Sequence, residues 1–466
     1  QAICRSPSPR STVQSSLNSS LGRIHAEVHY SQGVSPACDS EPGRVRCQAV
    51  PGFPQYFATD SIVKRPRIAA VVTEFRRYSH AQHILDRYLY GYSWNGRHHV
   101  PDIELVAVYT DQQPDGELSR ERARDFPRMK IYPTIAEALC RGGRRLDVDG
   151  VLLIGEHGNY PTNKKGQRLY PRYEFFQQIV KVFRESGRSV PVFNDKHLSW
   201  NWDWAREMVE TARELDFPLL AGSSLPVTRR IPQVDMPLGA RVEEALCVAI
   251  GGVDGYDIHA LEAMQSMVER RDGGETGVEW IEAATGVDAV VKALDAGSFD
   301  QGGWDPKLFR ACLCRSHQLV PTRQGFNHTL PTNRQIENLM RDPKNRNTPV
   351  LYRYQHRDGL KMNMLLIEGV VNDFTFAARL TGHPRPLSVQ MFLSPREVCN
   401  FFNPLTHATE ELFHTGQTPY PIERTLLTTG LTAAGIESLY RKGQRLKTPH
   451  LDVQYQPRQQ STYWSN

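Results

Sequence analysis

Val190-Pro191-Val192-Phe193-Asn194-Asp195-Lys196-His197 places a lysine where a short apolar strand gives way to a helix. In an open α/β sheet the carboxyl ends of parallel strands line the ligand crevice, so a cation at that point faces whatever is bound. Downstream, Ala205, Met208, Val209, Ala212 and Leu215 recur at helical spacing across Asp203 to Leu215, and Phe217 to Gly222 reads as the next strand. Lys196 is therefore a candidate for chemistry inside a repeating strand–helix pattern.

The same pattern extends upstream. Ile68-Ala69-Ala70-Val71-Val72 is an apolar run of buried-strand type, followed by a helix over His80 to Tyr90. After a loop rich in Gly, Asn and His (Gly91 to Pro101), Ile103 to Tyr109 forms a second strand ending at Thr110-Asp111. Asp111 stands where an acid bonds the ribose hydroxyls of a dinucleotide, and it equally suits the start of a turn running to Gly116. Lys130 to Tyr132 is a short third strand, and Thr134-Ile135-Ala136-Glu137 has the form of a capping box that opens a helix. A fourth strand, Gly150 to Ile154, runs into the polar loop Gly155-Glu156-His157-Gly158-Asn159-Tyr160. This alternation predicts a parallel, doubly wound sheet.

At 466 residues and 39% apolar composition the chain can build two ordinary domains plus an extension. Its net charge of +5 is spread without long like-charged runs, which argues against nucleic acid or a membrane surface as partner. No stretch reaches the roughly 18 to 20 consecutive apolar residues needed to span a bilayer. Residues 1–66 hold seven serines in the first twenty positions, scattered prolines and no sustained period, the signature of a disordered extension without a secretory signal. The eight cysteines form no disulfide framework, which points to a reducing, cytoplasmic setting. Cys312-Leu313-Cys314 with His317 lacks a second ligand pair, so buried thiols are the expectation and no metal is assigned.

Two segments carry a family resemblance. Asn194-Asp195-Lys196-His197, with the helix and strand behind it, stands where the glucose-fructose oxidoreductase and inositol dehydrogenase family carries Glu-Lys-Pro. Gly251-Gly252-Val253-Asp254-Gly255-Tyr256-Asp257-Ile258-His259 resembles that family's Asp-x-Gly-x-His segment, with the aspartate two residues before the histidine. The resemblance spans about Arg67 to Pro449. It implies a Rossmann-like NAD(P)-binding domain over 67–225, an α/β substrate and oligomerisation domain over 226–449 with an open, largely antiparallel sheet, and a tail over 450–466. It further implies NAD or NADP as cofactor, a sugar-like or cyclitol-like small molecule as substrate, and association into a homo-oligomer. Lys196 takes the role of substrate clamp or proton relay, His259 that of acid/base, and Asp257 or Asp254 that of its support. These roles make physical sense, since histidine exchanges protons near neutrality and a lysine steadies charge developing on oxygen.

The first turn departs from the family. Dinucleotide binders use Gly-x-Gly-x-x-Gly there so that the backbone can approach the pyrophosphate. This chain has Thr73-Glu74-Phe75-Arg76-Arg77-Tyr78-Ser79 instead. Thr73, Ser79, Arg76 and Arg77 offer alternative contacts to phosphate, which Glu74 would repel; the two arginines read equally as solvated surface. Gly155, His157, Asn159 and Tyr160 after strand four, with Asn194, are candidates to line the nicotinamide region, although loop polarity alone accounts for the middle three. Trp200, Trp202 and Trp204 read as packing in preference to a sugar-stacking platform. Further on, Val350 to Tyr354 and Leu360 to Ile367 flank Asp358-Gly359 as a hairpin; Glu243 to Ile250, Val370 to Ala377 and Leu387 to Phe392 extend that sheet, leaving one face free for helices or another subunit. A helix from Pro421 to about Lys442 would return to buttress both parts. An NAD(P)-dependent oxidoreductase acting on a CH–OH group is the leading expectation; the alternative is a non-catalytic relative serving as small-molecule sensor or scaffold.

Overall fold

The structure is a computed structural model that describes residues 65–317, 319, 330–394 and 398–465. The expected N-terminal extension, with Cys4, Cys38 and Cys47, lies outside the described residues apart from its last two positions.

Six parallel strands make the first sheet: β1 (Arg67–Glu74), β4 (Glu104–Gln112), β5 (Lys130–Ile131), β6 (Gly150–Ile154), β7 (Val192–Asp195) and β8 (Leu219–Gly222). Their spatial order is β5-β4-β1-β6-β7-β8. Counting only these six, that is 3-2-1-4-5-6, the order of dinucleotide-binding folds, with the switch point between β1 and β6. Ile68 to Val72 are fully buried because both sheet faces are covered, which is why the strand reads as an unbroken apolar run. The linking helices are α1 (His80–Tyr90), α2 (Ser119–Asp125), α3 (Ile135–Cys140), α4 (Arg172–Ser186) and α5 (Trp202–Glu214). Ser79 caps α1 by accepting from the Gln82 amide, and Thr134 caps α3 by accepting from that of Glu137. The loop expected over 91–101 contains a small hairpin, β2 (Tyr92–Trp94) and β3 (Arg97–His99), turning through Asn95-Gly96. An Asn-Gly pair favours such a turn because both residues tolerate positive φ.

The second sheet has eight strands: β9 (Arg230–Ile231), β10 (Val242–Ala249), β11 (Val278–Thr285), β12 (Val350–His356), β13 (Lys361–Leu366), β14 (Phe374–Leu380), β15 (Leu387–Met391) and β16 (Leu446–Lys447). It is antiparallel except where β10 meets β13. The Asp358-Gly359 hairpin forms as expected between β12 and β13. One face packs on α6 (Asp257–Val268) and the last long helix of the chain. The other, through Leu246, Val248, Leu351 and Leu365, packs on α7 (Val287–Ala296), α8 (Pro306–Arg315) and α9 (Asn333–Met340). Of the two coverings expected for this face, helices or another subunit, the chain's own helices take the place, because both alternating residue sets of β10 are apolar. Cys312 is buried in that layer, its thiol directed at the carbonyls of Leu246 and Thr375.

Two C-terminal helices pack back on these layers. α10 (Asn403–Thr415) packs Leu405, Leu412 and Phe413 against β1 and α1. α11 (Ile422–Tyr440) runs between α5, α6 and β11, as a buttress should. The chain after residue 450 is not a loose tail: Tyr455 is buried and bonds Glu269, and Trp464 stacks on Trp94. No helix among the described residues is long and apolar enough to cross a membrane.

Candidate functional site

Three crossover turns leave the same edge of the first sheet, and each holds a non-glycine residue in the left-handed region: Tyr78 (φ 63°) after β1, His157 (φ 73°) after β6 and Lys196 (φ 62°) after β7. Each such residue costs on the order of 1–3 kcal/mol, and strain of this kind concentrates where function requires it.

The turn after β7 is built around Asn194. Fully buried, its amide donates to the carbonyls of Asp195 and His197 and so holds the bend. Lys196 bridges through its own amide to the Gly222 carbonyl (3.0 Å) and sends its ammonium to Glu156 Oε1 (2.8 Å) and the Gly255 carbonyl (3.3 Å). Glu156 Oε2 accepts from Arg172 (2.6 Å). Burial opposes ionisation of Glu156, but Lys196 and Arg172 outweigh it and hold the carboxyl well below its usual pKa. Arg172 also reaches His197 Nε2 (3.1 Å); burial first, then this guanidinium, keeps His197 neutral. Gly155 serves this network by absence, since a Cβ there would come within 2.6 Å of the Arg172 side chain. Thr73, at the end of β1, donates to the Glu156 carbonyl (2.7 Å) and ties the first strand to the same loop.

Across the gap, His259 sits in the first turn of α6. It is half-buried, with Nδ1 2.6 Å from Ser223 Oγ. Burial, then the charges of Lys196 and His80, hold its pKa well below that of a free histidine. His80, the first residue of α1, bonds the buried Asp195 through Nδ1 (2.7 Å). Tyr78, His80, His157, Lys196, Tyr256 and His259 line one cavity of about 780 Å³ at the switch point, between the two sheets.

Of the residues singled out in the sequence, the structure brings Lys196, His157 and His259 together on this cavity. Asp257 turns the other way: fully buried, it accepts from the Ile258 amide and the Tyr352 hydroxyl, and burial raises its carboxyl pKa to about 7. Asp111, the next-to-last residue of β4, accepts from the hydroxyls of Tyr109 (2.8 Å) and Tyr160 (2.7 Å). Thr73 and Glu74 belong to β1, not to the turn, and Glu74 pairs with Arg76. Arg77 bonds the Tyr78 hydroxyl and packs over its ring. Asn159 pairs with Gln112, Trp204 stacks on Tyr173, and Trp202 meets His450. Glu156, Arg172, His80, Asp195 and Ser223 were not assigned roles from the sequence. Their importance comes from pairing across separate loops, and only the charged residues beside Gly155 and at the start of α1 gave a local signal.

The first turn does not fit the pyrophosphate of a dinucleotide in its usual seat. The Arg76 and Gln82 amides donate to Ser79 Oγ, the Tyr78 amide to Gln82 Oε1 and the His80 amide to His157 Nδ1 (3.5 Å). The donors that would face a phosphate are taken up by the chain's own side chains.

Strand order and the cavity at the switch point define an α/β protein of Rossmann-like build joined to a second, mostly antiparallel sheet. Comparison with solved structures finds distant likenesses. Similar structures are GenD2 from gentamicin A biosynthesis in complex with NAD (11% identity, 83% of this chain and 97% of that one, TM-score 0.49) and a myo-inositol dehydrogenase from Lactobacillus casei in complex with NAD(H) and myo-inositol (11%, 82% and 96%, 0.49). A probable dehydrogenase from Thermotoga maritima is also similar (13%, 83% and 99%, 0.49). No family model matches the chain, and no curated protein matches it.

Proposed function

We propose that the cavity between the two sheets takes a sugar-like or cyclitol-like small molecule, and that the protein is an oxidoreductase acting on one of its hydroxyls with NAD or NADP. The division near residue 225 into a nucleotide part and a substrate part belongs to this reading. The observation that carries it is the convergence of Lys196, at the end of β7 in the first sheet, and His259, on the helix packed against the second sheet, on one cavity. A lysine ammonium has three donors; Glu156 and the Gly255 carbonyl take two, which leaves one for a substrate oxygen. In the tautomer that donates Nδ1–H to Ser223 Oγ, His259 Nε2 carries the lone pair that receives a hydroxyl proton. Lys196 and His259 thus divide the work: the first steadies the oxygen, the second takes the proton. The cofactor enters through the family resemblance, and a bound nicotinamide would supply the hydride acceptor.

The closed first turn favours a second reading, a relative that holds the small molecule without oxidising it, as sensor or scaffold. Titration with NADH and NADPH, followed by energy transfer from the tryptophans, separates the two. Micromolar binding supports the oxidoreductase. Absence of binding in a folded sample, with inositols or sugars still raising the melting temperature of the unaltered protein and not of Lys196→Ala, leaves the sensor.

A further inference from the structure

Away from the Lys196 cavity, three side chains of metal-ligating type meet where the β2–β3 hairpin lies on α10. His99 comes from β3, while His407 and Glu410 stand three residues apart on one face of the helix. Their ligand atoms all lie within 4.8 Å of one another. His99 Nε2 is 2.7 Å from Glu410 Oε2. Glu410 Oε1 accepts from the Tyr92 hydroxyl, whose oxygen is 3.4 Å from His407 Nδ1. Trp94 stacks on the His407 ring at 4.3 Å between centroids and fixes its orientation. Glu410 is buried, and the two histidines are half-buried. A second cavity, of about 920 Å³, lies beside His407 and is lined also by Trp94, Glu411 and Trp464.

We propose that His99, His407 and Glu410 form a binding site for a divalent transition-metal cation of the zinc type. Two imidazoles and one carboxylate are a donor set suited to zinc, and three protein ligands leave a fourth position for water or a small ligand. Zinc bonds of about 2.0–2.2 Å place tetrahedral ligand atoms roughly 3.4 Å apart, so side-chain rotation must draw the three inward. The Tyr92 hydroxyl supplies the outer hydrogen bond that orients a ligating carboxylate. On binding, His99 turns the Nε2 lone pair from Glu410 to the metal. His407 Nε2 also lies 3.7 Å from Glu411 on the next turn of the helix face, and metal binding would draw it from that pairing toward Glu410 and His99.

The test uses the full chain, stripped with a chelator and titrated separately with Zn²⁺ and Co²⁺. The unaltered chain is expected to bind one equivalent more than His99→Ala or Glu410→Gln, and to show a visible Co²⁺ band that both variants lose. Thiols elsewhere that take up zinc cancel in this difference. Tyr92→Phe keeps all three ligands and is expected to weaken binding by about 10- to 100-fold. Glu410→Gln preserves shape, and His99 lies on a half-buried hairpin, so either variant suffices if the other fails to fold. Equal equivalents and equal affinity in the unaltered chain and the folded variants would overturn the site. The result is independent of whether the Lys196 cavity binds a nucleotide.

Discussion

The turns after β1 and β7 leave the same sheet edge, and each bends through a side-chain-bearing residue at nearly the same positive φ, Tyr78 at 63° and Lys196 at 62°. They use that bend in opposite ways. After β1, Ser79, Gln82 and His157 satisfy the backbone amides and close the helix start. After β7, Asn194 holds the backbone from within, and the lysine side chain is delivered to the cavity. At one sheet edge, therefore, the first turn spends its backbone donors on its own side chains, while the other presents a lysine to the cavity. The most damaging way to test this is to remove Glu156, the carboxylate between Lys196 and Arg172. Glu156→Ala leaves two buried cations without a counter-charge and is expected to cost about 3–5 kcal/mol, read as a lowered denaturant midpoint. A loss below about 1 kcal/mol would mean that water already neutralises the pair and that Lys196 is not fixed in place.

His157 belongs to both turns, since its ring closes the first and its neighbour Glu156 anchors the second. Burial, then the nearby His80, lowers its pKa to about 3 from the usual 6.5. A histidine with a depressed native pKa contributes stability that is present above pH 6.5 and is lost as pH falls toward 3. At pH 5 that loss amounts to about 2 kcal/mol, at roughly 1.4 kcal/mol per pH unit. His157→Asn is expected to flatten the stability profile over this window. If the profile keeps its slope, His157 is not the group that takes up the proton in this window.

Much of the first sheet could be read from the sequence because a strand buried on both faces writes its own signal, as Ile68 to Val72 and Gly150 to Ile154 do. The Asp358-Gly359 hairpin and the Thr134 cap were equally local. Lys196 was legible because it stands where a strand ends, and His259 because it stands where a helix begins. The coverings of the second sheet were not, since α8 and α9 reveal their partners only in three dimensions. Asp257 shows the limit most clearly. Two residues before His259 in sequence, it lies on the far side of the first helical turn, where the wheel aims it at Tyr352 and not at the cavity. Asp111 met the same limit, because nothing local to it revealed that Tyr160, 49 residues away, would bond its carboxylate.

The smallest expected effect bears most directly on the comparison. Holding Tyr78 in the left-handed region costs roughly 1–2 kcal/mol, and glycine would relieve that strain while adding about 0.5–1 kcal/mol of unfolded-state entropy. Tyr78→Gly is thus expected to change stability by less than about 1 kcal/mol in either direction. What changes more is access, because the substitution removes a side chain that lines the cavity and restores a glycine to the turn where a pyrophosphate would approach. If side chains alone close this edge, NADH should bind the variant several-fold more tightly than the unaltered protein in the same titration. Unchanged affinity would place the closure in Ser79, Gln82 and His157, whose bonds to the backbone the substitution leaves intact. Weaker binding would reverse the comparison, since Tyr78 would then be a contact for the nucleotide and the first turn a seat of a different kind.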